Sequence, residues 1–181
     1  LFISISQITF ALEIPKHTNE FYVNDFANVL SRETKNYIIK KGEELNKADG
    51  LQIVVTTIKN LEGNEIFHYS REMAKKWKIG SDEKNNGILI LLAVEDRDIF
   101  VQIGYGLEGD LNDAKVGRLI DTYAIPYLKN DNFDEGILNL YKGILQTLNL
   151  SEDAPISATE EKRELSYFEI IVIMIVLILY L

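Results

Sequence analysis

The sequence predicts an α/β fold, a three-layer α/β/α sandwich around a mixed sheet, and three observations carry that expectation. Ile88–Val94 (ILILLAV) is apolar on both faces, as a central strand between two covering layers must be. Leu51–Ile58 (LQIVVTTI) is a second, β-branched run of strand length. Around these runs lie stretches whose apolar residues recur three and four apart, the spacing of one helix face. Buried strands alternating with amphipathic helices must stack in layers.

Taken in order, Ser31–Ala48 reads as the first helix. Ile38, Leu45 and Ala48 with Tyr37 form its apolar side, Ser31 is placed to cap its start, and Gly50 stops it. The strand Leu51–Ile58 follows. Glu65–Lys78 then sets Ile66, Tyr69, Met73 and Trp77 on one helix face, an aromatic stripe best read as core packing. The loop IGSDEKNNG, residues 79–87, leads into the central strand. EDRD turns the chain back into a stretch where Ile99, Val101 and Ile103 alternate with Phe100 and Gln102, which predicts an antiparallel hairpin. Two helices are expected after it, Asp113–Leu128 and Phe133–Leu148, the last amphipathic through Ile137, Tyr141, Ile144, Leu145 and Leu148.

Both ends differ in composition from the middle. Residues 1–14, within LFISISQITFALEIP, resemble the apolar and cleavage regions of a secretory leader, a first strand being the alternative. Residues 167–181, YFEIIVIMIVLILYL, are continuously apolar from Ile170. That run is shorter than the roughly 20 residues that span hydrocarbon, so it reads as a truncated or unusually short transmembrane anchor, a buried strand or helix being the alternative. Residues 151–166, SEDAPISATEEKRELS, are a polar linker with little to bury. A domain over residues 19–150 is therefore expected, held outside the cytoplasm against a membrane. The net charge of −9 and the lack of a basic cluster argue against nucleic acid as a partner. The absence of cysteine excludes thiol nucleophiles, disulfides and thiolate zinc sites.

Gly104–Gly109, GYGLEG, matches the G-x-G-x-x-G pattern of dinucleotide folds. Its place contradicts that reading. A nucleotide fold needs these glycines after the first strand of a parallel crossover, whereas here they follow the second strand of a hairpin. Glu108, Asp110 and Asp113 would also repel a pyrophosphate. The glycines are expected instead to provide positive φ angles and close backbone approach. The acids, with Asn112, either cap the next helix or supply the hard oxygen ligands that Ca²⁺ or Mg²⁺ prefers. An EF-hand is excluded, because counting from Asp110 the sixth position is Lys115 and the twelfth is Asp121.

The stretches FYVNDFANVLS, WKIGSDEKNNGILILLA, EDRDIFVQIGYGLEGDLND and GRLI, in this order between Phe21 and Gly143, resemble the TPM domain family. The resemblance implies an α/β/α sandwich, usually exported and often followed by a membrane segment. It further implies calcium binding in some members, acid phosphatase activity in others, and a part in photosystem II repair for plant members. The family's signature positions fall on Asn24, Asp25, Asn86, Gly87, Arg97, Gly104, Gly106, Leu107, Glu108, Gly109 and Asp113. Asn85 stands where many members carry Asp, which removes one anionic ligand. If the loops converge at one end of the sheet, as in open α/β folds, Asp25, Asn86, Glu108 and Asp113 form a cation shell with Asp110 in reserve. Calcium is the expected ion, magnesium the alternative.

Two functions follow from that reading. One is a cation-dependent, non-enzymatic module that binds or maintains envelope proteins. The other is a metal-assisted acid phosphatase acting on phosphomonoesters. Catalytic machinery is sparse for the second: there is no thiol, His68 is the one histidine between residues 19 and 150, and Arg97 in the hairpin turn reads more naturally as solvated; a serine hydrolase is set aside because no G-x-S-x-G elbow occurs.

Overall fold

The computed structural model describes residues 12–150 and Pro155. The leader-like residues 1–11, the rest of the linker and the apolar tail 167–181 lie outside the described residues. Within them the chain forms a mixed α/β fold: β1 (Val23–Asp25), α1 (Arg32–Asp49), β2 (Gln52–Ile58), α2 (Ile66–Trp77), β3 (Gly87–Ala93), β4 (Asp98–Ile103), α3 (Asp113–Leu119), α4 (Ile125–Leu128) and α5 (Phe133–Thr147). The sheet order is β1-β2-β3-β4. The first three strands are parallel and β4 is antiparallel to β3, as the hairpin pattern predicts.

The alternation of β3 places its side chains in two cores. Ile88, Ile90 and Leu92 pack with Ile38 and Leu45 of α1 and with Ile137, Leu140, Tyr141, Ile144 and Leu145 of α5. Leu89, Leu91 and Ala93 pack with Ile66, Tyr69, Met73 and Trp77 of α2. Every residue of β3 is buried, which is why its sequence lacks a polar face. The aromatic stripe of α2 is core, as its spacing implied.

Local signals set the helix ends. Ser31 accepts from the Thr34 amide at the start of α1, and Gly50 closes it in the left-handed region at φ 73°. The single helix expected over Asp113–Leu128 is interrupted by a π turn at Ile120–Ala124 just before Pro126. Proline has no N–H and its ring crowds the preceding turn, so the helix widens there. Strand β1 escaped the sequence reading because it has only three residues, of which Val23 alone is apolar.

The domain also begins before residue 19. Leu12 and Ile14, assigned from the sequence to a leader-like segment, pack on α2. Trp77 Nε1 donates to the Pro15 carbonyl at 2.9 Å and Lys76 Nζ to that of Ile14 at 2.6 Å. Among the described residues no helix is long and apolar enough to cross a membrane.

One topological consequence is unusual. Successive crossovers advance in the same direction along the sheet, yet α1 and α2 cover opposite faces. The two crossovers therefore have opposite hands, and one belongs to the left-handed class that makes up only about 2% of such connections.

Candidate functional site

Strand direction separates the residues expected to form a cation shell. Asp25 pairs with Thr57 at the carboxyl ends of β1 and β2, whereas Asn86 immediately precedes β3, whose first residue Gly87 pairs with Gln52. Because β4 runs antiparallel, its carboxyl end and the glycine loop after it also lie at that second end, with Ile103 opposite Ile88. Thr57 is five residue steps beyond Gln52, about 16 Å along the sheet. The four residues thus do not form one shell. Among the described residues no group of three or more His, Asp or Glu side chains is gathered to hold a metal ion.

Asp25 and Asn86 are instead committed to the fold. The Asp25 carboxylate accepts from Thr57 Oγ1 at 2.6 Å, from the Val29 and Leu30 amides at 3.0 and 3.1 Å, and from Lys35 Nζ at 3.3 Å. It ties the β1–α1 turn to β2, and its side chain is only 5% exposed. Asn86 is buried; its Oδ1 accepts from the Ser81 amide and hydroxyl, and its Nδ2 donates to the Asp49 carbonyl. Asn24, also buried, spans the Thr18 amide and the Phe21 carbonyl. Glu108, Asp110 and Asp113 are exposed, with Asn112 capping α3 by accepting from Lys115 and Asp113 in its first turn. Arg97 sits at φ 55° in the hairpin turn and pairs with Asp131 at 2.6 Å. His68 is exposed on α2.

The glycine loop serves close packing rather than unusual dihedrals. Gly104 has φ −73°, and the glycines with positive φ among the described residues are Gly50, Gly63 and Gly80. A Cβ at Gly104 would stand 2.2 Å from the Asn85 carbonyl oxygen, and one at Gly106 would stand 1.9 Å from that of Lys84. What presses on these glycines is therefore the chain's own 79–87 loop. Gly109 meets nothing within 4 Å. The 3₁₀ turn Tyr105–Leu107 follows the first glycine, so no helix points its amino terminus into the loop.

Where that loop meets α2 and β4, the surface opens into a cleft of about 410 Å³. Ala74, Leu89 and Gly87 line it, with Arg71 and Lys75 from α2, Lys78 just past its end, and Gln102 and Ile103 from β4. Asp82 is the acid among its lining residues. All three cations are exposed, and among the described residues none is in a salt bridge. In a chain of net charge −9 this is a local reversal of sign. The apolar stripe accounts for only one side of α2; the four-residue spacing of Arg71 and Lys75 on its other side was the available signal.

The comparisons with known proteins agree with this fold. No curated protein matches the chain. The solution structure of the N-terminal domain of a protein from P. gingivalis is similar at 25% identity and TM-score 0.67, over 76% of this chain and 87% of that one. The N-terminal domain of cg2496 protein from Corynebacterium glutamicum is similar at 16% identity and TM-score 0.55, over 82% and 93% of the two chains. The BA42 protein of the psychrophilic bacterium Bizionia argentinensis is similar at 19% identity and TM-score 0.53, over 71% and 90%. A sequence model of the TPM domain matches residues 23–147, most of the chain, and this protein belongs to the TPM domain family.

Proposed function

We propose that the protein is a non-enzymatic binding module, held outside the cytoplasm by an apolar tail in the membrane, that engages envelope proteins. The observation that carries this reading is the open cationic cleft, set against chemically capable side chains that are dispersed or already bonded. Asp25 is engaged by four donors, Arg97 by Asp131, and His68 stands exposed on α2. Hydrolysis of a phosphomonoester needs a very large acceleration, which scattered groups do not supply. The two halves of the expected cation shell do not fit one centre, so calcium or magnesium enters the proposal only at the exposed loop carboxylates Glu108 and Asp113.

Titrating the protein with calcium and magnesium while following amide NMR shifts, alongside a phosphomonoester assay, tests this reading. Shifts confined to residues 108–113 with no turnover fit it. Sustained turnover of the phosphomonoester would replace it with the acid phosphatase reading. Protease added to intact cells should digest the domain; protection until lysis would overturn its placement outside the cytoplasm.

A further inference from the structure

We infer that the outer edge of β4 takes up an extended acidic segment of a partner protein as a fifth strand, its carboxylates lying along Arg71, Lys75 and Lys78. This rests on the binding-module reading and names the partner's chemistry. The edge follows from the hydrogen-bond alternation of an antiparallel pair. The Gly104 amide donates to the Gly87 carbonyl at 2.8 Å, so Gln102, Phe100 and Asp98 turn their backbone groups toward β3. Ile99, Val101 and Ile103 must then turn theirs outward. Among the described residues nothing bonds the outward groups of Ile99 and Val101, which belong to residues only 9% and 4% exposed, so an arriving strand meets a narrow strip of backbone rather than an open face. The Ile103 carbonyl is met by its neighbour's side chain, Gln102 Nε2, at 3.3 Å.

Sheet edges are ordinarily blunted by a lysine, a proline, a bulge or extreme shortness. At the other edge, β1 has three residues and ends in the turn tied by Asp25. By contrast β4, DIFVQI, has neither lysine nor proline and keeps unbroken register with β3 over six pairs. Gln102 acts as a placeholder. Its Nε2 satisfies a carbonyl that a neighbouring strand would otherwise meet, while its buried Oε1 has no donor among the described residues. An arriving strand would donate to Ile103 and free the amide to rearrange.

Charge identifies the occupant. Helix α2 runs in the same sense as β4, with Phe67 meeting Phe100 edge to face and the cleft joining Lys75 and Lys78 to Gln102–Gly104. Arg71 and Lys75 stand one turn apart on α2, about 6 Å along it, and Lys78, just past the helix in the left-handed region, completes a basic stripe on the lining of the cleft. Alternate residues of a strand share a face at about 6.7 Å. Two carboxylates in that alternation match the stripe, whereas a single chain terminus would use only part of it. Backbone bonds along β4 would give affinity and the stripe would give selectivity.

The test uses the full chain in detergent micelles and a fluorescent nine-residue peptide alternating glutamate with valine, read by anisotropy and by hydrogen exchange. Binding should slow exchange at the Ile99 and Val101 amides. It should weaken about tenfold or more in the triple variant R71Q/K75Q/K78Q, in line with loss of several exposed ion pairs, and equally when the peptide's glutamates become glutamines. Methylating alternate peptide amides should abolish it, and circular dichroism of the triple variant should match the parent. Binding that survives methylation, or leaves exchange at the edge unchanged, overturns strand addition while leaving a binding module. Ile99 and Val101 amides already protected in the free protein, with no peptide bound, would show the edge filled by a second copy or by this chain itself, and would also overturn it. Turnover of a phosphomonoester by the same preparation would sink the underlying reading whatever the peptide does.

Discussion

Asp25 shows how a residue can look like a ligand and act as a fastener. Replacing it with asparagine removes an acceptor from a nearly buried network and leaves the Lys35 ammonium without its counter-charge. D25N should lose about 1–3 kcal/mol in urea unfolding, with calcium affinity unchanged; a large loss of calcium binding at full stability would restore it as a ligand. The residue types of the candidate set were legible in the sequence, but their separation was not drawn from it. The crevice rule gathers the carboxyl ends of parallel strands, whereas Asn86 precedes a strand and Glu108 follows an antiparallel one. Tyr141 offers a second residue-level test. Among the described residues its buried hydroxyl has no partner, and burial, with lesser contributions from Tyr37, Tyr22 and Glu44, holds its ionisation above the ordinary tyrosine value. A raised value in the folded state means stability that is complete below the unfolded value near 10 and is lost as pH climbs above it. Y141F should match or exceed the parent at neutral pH, by up to about 1 kcal/mol, and should flatten the alkaline decline. A variant losing several kcal/mol would reveal a missed hydrogen bond.

Among the elements, long periodic stretches were the readable ones. α1, α2, β2, β3, β4 and α5 stand within a residue or two of the bounds their patterns predict, because burial of one face repeats over many positions. Short features escaped. β1 has too few residues for a period, and the π turn depends on Pro126 disturbing a helix whose apolar pattern continues through it. Glycines within helices separate packing from propensity. Gly42 of α1 faces the Tyr22 ring, with Cγ 2.5 Å from where a Cβ would stand, while Gly117 of α3 has open space around it. Alanine favours helix over glycine by about 1 kcal/mol. G117A should therefore raise the melting temperature, and G42A should lower it by the cost of overpacking, about 1–3 kcal/mol. Equal gains at both positions would mean that Tyr22 moves aside freely.

At the scale of the molecule, the layered α/β class was readable but the winding was not, since periodicity says that a helix is buried without saying on which face. α1 and α5 share one face with the turns around α3 and α4, leaving the other to α2 and the strap at residues 12–15. The buried side of α5, with Ile137, Leu140, Tyr141, Ile144 and Leu145 all at 0% exposure, claims space that two crossovers of the same hand would have given to α2. A chain ending at residue 132 should thus lose cooperative unfolding by circular dichroism, and a sharp transition in it would show that α5 merely decorates a finished core. The crossovers of opposite hand also carry a timing. During synthesis the strands emerge first and the helix that settles their winding emerges last, on the order of several seconds later at typical elongation rates. Until α5 is added, the face of β3 carrying Ile88, Ile90 and Leu92 lacks the cover that α5 gives it in the finished fold.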